Sequence, residues 1–259
     1  MCIRDSNHLE QINDAALLNP QVMIDEVEDS YHEHIENIAR NIVTHYKTAK
    51  VCMLAGPSSS GKTTTAHLLQ RELGKLGVHA EIVSLDDFYL GPDETPVLPN
   101  GEKDYETVDA LDIALIQDCL NSVIHSGSCL LPEYDFTTKT RTLAARKLDV
   151  SDRGFVIMEG LHALNPIFTR DLPEGSTIKL YVSVKQQIKD INGEVISPMD
   201  IRLVRRISRD IRSRDTMPER TIAMWDNVVA GEDKYIRPYR LSADYTVNSI
   251  HIYEPCVLR

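Results

Sequence analysis

Residues Gly56-Pro57-Ser58-Ser59-Ser60-Gly61-Lys62-Thr63 spell a full G-x-x-x-x-G-K-[ST] phosphate loop between an apolar run and a helix-patterned run. Glycines let such a loop curl until successive main-chain N–H groups point at phosphate oxygens, and the helix that follows adds the positive end of its dipole. Gly56 to Thr63, with Thr64 behind them, are therefore the candidate triphosphate-binding residues. Lys62 is placed to neutralise β/γ oxygens and Thr63 to hold Mg²⁺. Two acids follow the next apolar run, in Ser84-Leu85-Asp86-Asp87-Phe88-Tyr89, where a carboxylate can accept a proton from a substrate hydroxyl. Another ends Val156-Ile157-Met158-Glu159-Gly160, the place where phosphate-loop proteins keep an acid that holds Mg²⁺ directly or through water. The segment from Arg202 to Asp215 concentrates six arginines in an otherwise acidic chain. Guanidinium groups are planar, permanently charged donors that match the charge spread over a moving phosphoryl group, so the segment reads as a closing lid. Spacing alone does not orient every arginine, and a solvated face paired with nearby acids also accounts for Arg205 and Arg212.

The elements that must position these residues follow from periodicity. Val51-Cys52-Met53-Leu54-Ala55 reads as a buried strand feeding the loop, and Ala66, Leu69, Leu73 and Leu76 recur at helical spacing after it. Further strands are expected at 79–85, 129–132, 155–158 and 179–184, an apolar-rich helix at 109–126 closed by Gly127, and a basic helix at 201–214. Strands alternating with helices predict an α/β fold of the P-loop NTPase type, a parallel sheet with helices on both faces and a helical lid. Ligands gather outside the carboxyl ends of such strands. Residues 90–104, with three prolines and two glycines, form a surface loop at that edge.

Upstream, within 30–50, Ile35, Ile38, Ala39, Ile42, Val43 and Tyr46 fall on one stripe of an amphipathic helix leading into the core. His32 and His34, two apart, splay onto different faces and read as solvated rather than metal-binding. The expected division is a helical lead-in, 1–49, and a phosphate-loop domain, 50–259. Met1 to Ser6 read as a non-native remnant.

At 259 residues and 42% hydrophobic composition, the chain has material for one large domain or a domain with an appendage. A net charge of −11 argues against a broad nucleic-acid or membrane partner. No apolar stretch approaches the ~20 residues of a membrane span. No secretion signal opens the chain, so the expected compartment is the cytoplasm. Five cysteines without C-x-x-C pairing fit buried thiols better than disulfides or zinc ligands. The expected partner is a small-molecule substrate, and an oligomer is compatible with the sequence.

Together, Gly56–Thr63, Ser84-Leu85-Asp86-Asp87-Phe88-Tyr89, Pro132-Glu133-Tyr134-Asp135-Phe136, Met158-Glu159-Gly160-Leu161-His162 and the arginine helix resemble the uridine kinase and phosphoribulokinase family, across roughly 50–250. Gly231-Glu232-x-x-Tyr235-Ile236-x-Pro238 and Ala243-Asp244-x-x-x-Asn248-Ser249 look like its bacterial uridine kinase-like branch, a resemblance that implies 7–49 as the tail of an upstream part. The resemblance implies transfer of the ATP γ-phosphoryl group, with Mg²⁺, to a nucleoside 5′-hydroxyl, that of uridine or cytidine. It implies Asp86 as general base, Lys62 and Thr63 as phosphate and Mg²⁺ contacts, and Glu159 as the metal-side acid. Arg206, Arg209 and Arg214 match lid arginines, in a lid a little shorter than the family's. Tyr105-Glu106 matches an aromatic–Asp pair on the sugar, with Glu replacing Asp, and Tyr134 and Phe136 match base-packing positions. Lys139 stands where uridine kinases carry a base-reading His; Tyr89 and Arg141 are expected beside it on the acceptor side. Two alternatives stay open: a kinase of another small alcohol, such as a sugar phosphate or a pantothenate-like compound, and a non-catalytic nucleotide-binding switch. A GTPase is disfavoured because no Asn-Lys-x-Asp or Thr-Lys-x-Asp guanine reader appears.

Overall fold

The computed structural model describes residues 7–45, 48–99, 101–150 and 154–258. Met1 to Ser6, and Tyr46 on the expected helical stripe, lie outside the described residues. In chain order the elements are α1 (Leu9–Leu18), α2 (Pro20–His45), β1 (Val51–Ala55), α3 (Lys62–Lys75), β2 (Ala80–Ser84), α4 (Ile113–Ser126), β3 (Ser128–Asp135) and β4 (Thr140–Asp149). They continue with β5 (Phe155–Glu159), β6 (Thr177–Ser183), β7 (Ile188–Lys189), β8 (Val195–Ile196), α5 (Pro198–Arg214), α6 (Pro218–Tyr235) and β9 (Tyr245–Asn248).

A five-stranded sheet in the order β2-β5-β1-β6-β9 is parallel throughout. Every residue of β1 and β5 is buried, as expected of central strands covered on both faces. Their side chains alternate between two cores. Val51, Met53, Ala55, Val156 and Met158 join the core that includes Ile116 and Leu120 of α4. Cys52, Leu54, Phe155 and Ile157 join the core under α2 and α3, with Ile35, Ile38, Ile42, Leu69 and Leu73. The expected strands and helices around the phosphate loop are thus present, and the described cysteines are free thiols. Among the described residues no helix is long and apolar enough to cross a membrane.

One expected strand belongs elsewhere. The segment expected at 129–132 lies in β3, which pairs antiparallel with β4 in a separate hairpin instead of extending the sheet. Asp135 drives the turn: its carboxylate accepts from the N–H groups of Thr137 at 2.7 Å and Thr138 at 3.2 Å. Lys139 then turns the chain back with a φ of 55°. The strand β4 is exposed over nearly its whole length, so it carries no two-residue apolar alternation by which to read it.

The arginine helix α5 starts earlier than expected, at Pro198, because Ser197 and Asp200 form a reciprocal cap. Ser197 Oγ accepts from Asp200 N at 3.2 Å, and Asp200 Oδ2 accepts from Ser197 N at 2.7 Å. Ser197→Ala should lower unfolding stability by about 1 kcal/mol. Urea titration checks this: the midpoint should fall with an unchanged slope.

Candidate active site

The chain leaves β1 under close constraint. A Cβ on Gly56 would sit 2.1 Å from the carbonyl oxygen of Val182 on β6, so only glycine passes there. Ser59 and Gly61 take positive φ, 56° and 89°, and bend the chain into α3. No described side chain caps that helix, so the N–H groups of its first turn are left facing the loop. The buried Ser59 and Ser60 hydroxyls have no hydrogen-bond partner among the described residues. Unspent donors at a helix N-terminus suit a phosphate group. They open on a cavity of about 320 Å³, lined by Ser59, Gly61, Lys62, Thr63 and Thr64 from the loop, Arg205 and Arg209 from α5, and Tyr31, Ser249, His251 and Glu254.

Strand β5 ends beside this loop. Thr63 Oγ1 donates to Glu159 Oε1 at 3.0 Å, and Glu159 is 8% exposed. Burial pushes the Glu159 carboxyl up, against the pull of the Lys62 charge, and burial pulls the Lys62 ammonium down, against Glu159 and Asp86. A hydroxyl and a carboxylate are the hard oxygen donors Mg²⁺ takes alongside waters and phosphate oxygens. No group of three or more His, Cys, Asp or Glu able to hold a metal occurs among the described residues, so a cation here would draw further ligands from a bound phosphate or from water.

A second cavity, of about 250 Å³, opens on the other side of Lys62. It gathers Ser58, Asp86, Tyr89, Tyr105, Glu106, Tyr134, Phe136 and Lys139 with Arg206, Arg209 and Arg214. Asp86 sits in a short 3-10 turn, Leu85–Phe88, whose start is fixed by Ser84 Oγ accepting from Asp86 N at 3.2 Å. Asp87 does not line the cavity. Its carboxyl is pushed up by burial and pulled back by Arg146 of the hairpin. The rings form one cluster: Tyr134 and Phe136 lie 5.0 Å apart at 67°, with Tyr89 5.7 Å and 6.0 Å from them. Arg214 covers the Phe136 ring at 5.9 Å.

Arg141 departs from the expected set. It lies outside both cavities, because its Nη1 donates at 2.7 Å to Asp112, the N-cap of α4, with Glu94 3.7 Å away. Arg205 is not solvated either: its guanidinium meets Glu254 at 2.7 Å and Ser249 O at 2.6 Å, on the wall of the first cavity. Arg212 is exposed. Inside α5, the buried Asp210 draws in Arg206 and Arg209 at 3.3 Å and Arg214 at 3.7 Å, which turns the three expected arginines toward one place. Sequence reasoning missed Tyr31, Ser249, His251 and Glu254. Two of these carry a signal: Tyr31 precedes Ile35 by one turn on the same apolar stripe, and Ser249 closes the Ala243-Asp244-x-x-x-Asn248-Ser249 motif.

Glu106 lines the second cavity, and burial pushes its carboxyl up to about 7, Arg206 opposing and Glu232, Asp104 and Asp86 adding. A carboxyl raised above its unfolded value binds more protons folded than unfolded, so between about 4.5 and about 7 it lowers stability as pH rises. Glu106→Gln removes that charge. It should raise the thermal midpoint more at pH 8 than at pH 5, as scanning calorimetry at the two pH values would show; an equal gain at both would mean Glu106 ionises normally.

Comparison with known proteins bears on the family and the fold. Residues 51–253 match the model of the Phosphoribulokinase / Uridine kinase family. A uridine kinase of Lactobacillus helveticus (strain DPC 4571) is 29% identical over 195 residues, 75% of this chain and 83% of that one. A uridine kinase of Ureaplasma parvum serovar 3 is 24% identical over 202 residues, 78% and 88%. Among solved structures, a putative fructose transport system kinase from Silicibacter sp. TM1040 aligns with a TM-score of 0.61 at 21% identity, covering 82% of this chain and 98% of its own. A possible uridine kinase from Bacillus stearothermophilus aligns at 0.57 and 17%, covering 83% and 97%. A D-glycerate 3-kinase from Cryptococcus neoformans aligns at 0.52 and 17%, covering 79% and 88%.

Proposed function

The chain belongs to the phosphoribulokinase / uridine kinase family and is an ATP-dependent kinase; we propose that it transfers the γ-phosphoryl group of ATP to the 5′-hydroxyl of a nucleoside, uridine or cytidine. One observation carries this reading: Lys62 and Arg209 line both cavities, so a phosphoryl group passing from one to the other stays between the same two cations. The triphosphate occupies the loop Gly56–Thr63 and Thr64. Asp86 takes the proton of the attacking hydroxyl, the new O–P bond forms as the bond from γ-phosphorus to the bridging oxygen breaks, and ADP leaves. Arg206, Arg209 and Arg214 match the charge that spreads over the moving group. Thr63 and Glu159 would hold Mg²⁺, whose chemistry is to neutralise β/γ oxygens.

On the acceptor side, Tyr134 and Phe136 form a corner for a flat ring, and Tyr105 and Glu106 meet the sugar. Residues 50–259 serve as the kinase domain, with 1–49 leading in, and the setting we propose is the cytoplasm. A second reading is favoured by Lys139, which stands with Arg206 and Arg214 around the same cavity and would suit an anionic alcohol. Glycerate, named for one fold neighbour, is such an alcohol.

ATP turnover measured across uridine, cytidine, other nucleosides, pantothenate and D-glycerate tests the acceptor. Uridine or cytidine should be best, and Lys139→His should sharpen pyrimidine preference. Phosphorylation of an anionic alcohol but of no nucleoside would reverse the assignment. For the chemistry, Asp86→Asn keeps shape and removes the base, so kcat should fall by about 10²–10⁴ with ATP affinity nearly unchanged. Asp87→Asn should cost less; a silent Asp87→Asn beside an active Asp86→Asn would move the base by one residue.

A further inference from the structure

No step of that reaction uses Gly231 or Glu232, yet both are built into its surroundings. Glu232, on α6, is 6% exposed, and its Oε1 accepts from the main-chain N–H of Ser58 at 2.7 Å. Both of its oxygens also accept from Arg202 Nη2 on α5. Arg202, 7% exposed, donates from Nε to the carbonyl oxygen of Ser58 at 2.9 Å and lies over the Trp225 ring at 5.4 Å. Arg206 Nη1 adds a bond to Ser58 Oγ at 3.0 Å. Every polar group of Ser58 is therefore spent on side chains of two helices, while the next hydroxyls, on Ser59 and Ser60, are buried without a partner among the described residues.

Desolvation makes a buried ion pair a poor source of stability, whereas a planar guanidinium fork fixes direction. The neighbouring position serves the other cavity. A Cβ on Gly231 would sit 2.8 Å from the Cβ of Glu106, so the α6 backbone backs directly onto the stem of that side chain.

We propose that Gly231-Glu232 is a two-sided gauge: Glu232, with Arg202, positions the phosphate loop through Ser58, and Gly231 positions Glu106 on the acceptor side. Arg202 and Glu232 are positioning residues that touch neither substrate. The proposal rests on the reading that the loop holds the triphosphate and Glu106 the acceptor.

The test measures ADP and ATP binding by calorimetry without acceptor, together with kcat and both KM values, all per folded molecule. Glu232→Ala should weaken nucleotide binding and lower kcat by about tenfold or more, because a small displacement of a positioned group is costly. Acceptor KM should stay within about twofold. Glu232→Gln should recover most of the nucleotide affinity, since its amide oxygen still accepts from Ser58. Gly231→Ala should do the reverse, raising acceptor KM while nucleotide affinity holds. If Glu232→Ala does not fold, Arg202→Lys carries the test: lysine keeps the charge opposite Glu232 but lacks the fork that also reaches Ser58, so nucleotide affinity should fall. Wild-type affinity and kcat in folded Glu232→Ala or Arg202→Lys would make the pair structural only and overturn the proposal. Lys62→Ala is the control. Weak binding there beside wild-type Glu232→Ala sinks the gauge alone, whereas wild-type binding in Lys62→Ala sinks the phosphate-loop reading and the gauge with it.

Discussion

The turn out of β1 is squeezed between its own loop and the neighbouring strand: with Val182 O only 2.1 Å from where a Cβ would stand on Gly56, the chain has one way to go. The rest of the site follows from that constraint. The loop must bend through the left-handed conformations of Ser59 and Gly61, and α3 begins with its first N–H groups uncapped. Sheet register does the remaining work. Leu54 pairs with Glu159 and Ser84 with Glu159, so the ends of β1, β5 and β2 lie level. Asp86, two residues beyond Ser84, and Glu159 thereby arrive where both charges act on Lys62 without any loop having to search for them.

Bringing those charges together is expensive where burial strips part of their hydration, and the pattern of shifts follows from it. Burial drives Glu159 and Glu106 toward the neutral acid and Lys62 toward the neutral amine, with the opposite charges only partly offsetting it. The apolar faces of the sheet bear the load: Val51, Met53 and Ala55 on one side, Cys52 and Leu54 on the other, all fully buried. Asp210 plays the complementary part in α5. One buried carboxylate draws three guanidinium groups to the cavity side of the helix, where their mutual repulsion would otherwise spread them.

What the sequence made legible was the part whose physics is local. The phosphate loop is a backbone shape set by a few consecutive residues, and the buried strands announce themselves by unbroken apolar runs; fold and strand-end acids could be read from these. The unread parts depend on partners far along the chain. Arg141 has the right neighbours for an acceptor contact, yet the nearest carboxylate, on Asp112, claims it. Arg205 reads as a surface arginine until Glu254, 49 positions on, comes beside it. The strand β4 shows no alternation because it is exposed along nearly all its length. The start of α5 is a miss of another kind: it was written locally, in Ser197-Pro198-Met199-Asp200, a cap with proline at the first turn, yet the apolar and basic pattern alone put the helix at 201.

The helix ahead of the family match shows how far a site can reach beyond its motifs. The match begins at 51, but Tyr31, Ile35, Ile38, Ala39 and Ile42 of α2 cover the face of the sheet that Cys52, Leu54, Ile157 and Leu180 present. Uncovered, that face would be a contiguous apolar surface of the kind soluble folds avoid. The same helix then meets the loop's own helix through a hydrogen bond of 2.7 Å between Tyr31 Oη and Thr65 Oγ1, one residue past Thr64. Tyr31 also lines the first cavity, edge-on to His251 at 5.1 Å. The contact that buries α2 against the sheet therefore also sets one wall of the first cavity, and a change of packing under α2 would be felt where the triphosphate is proposed to lie.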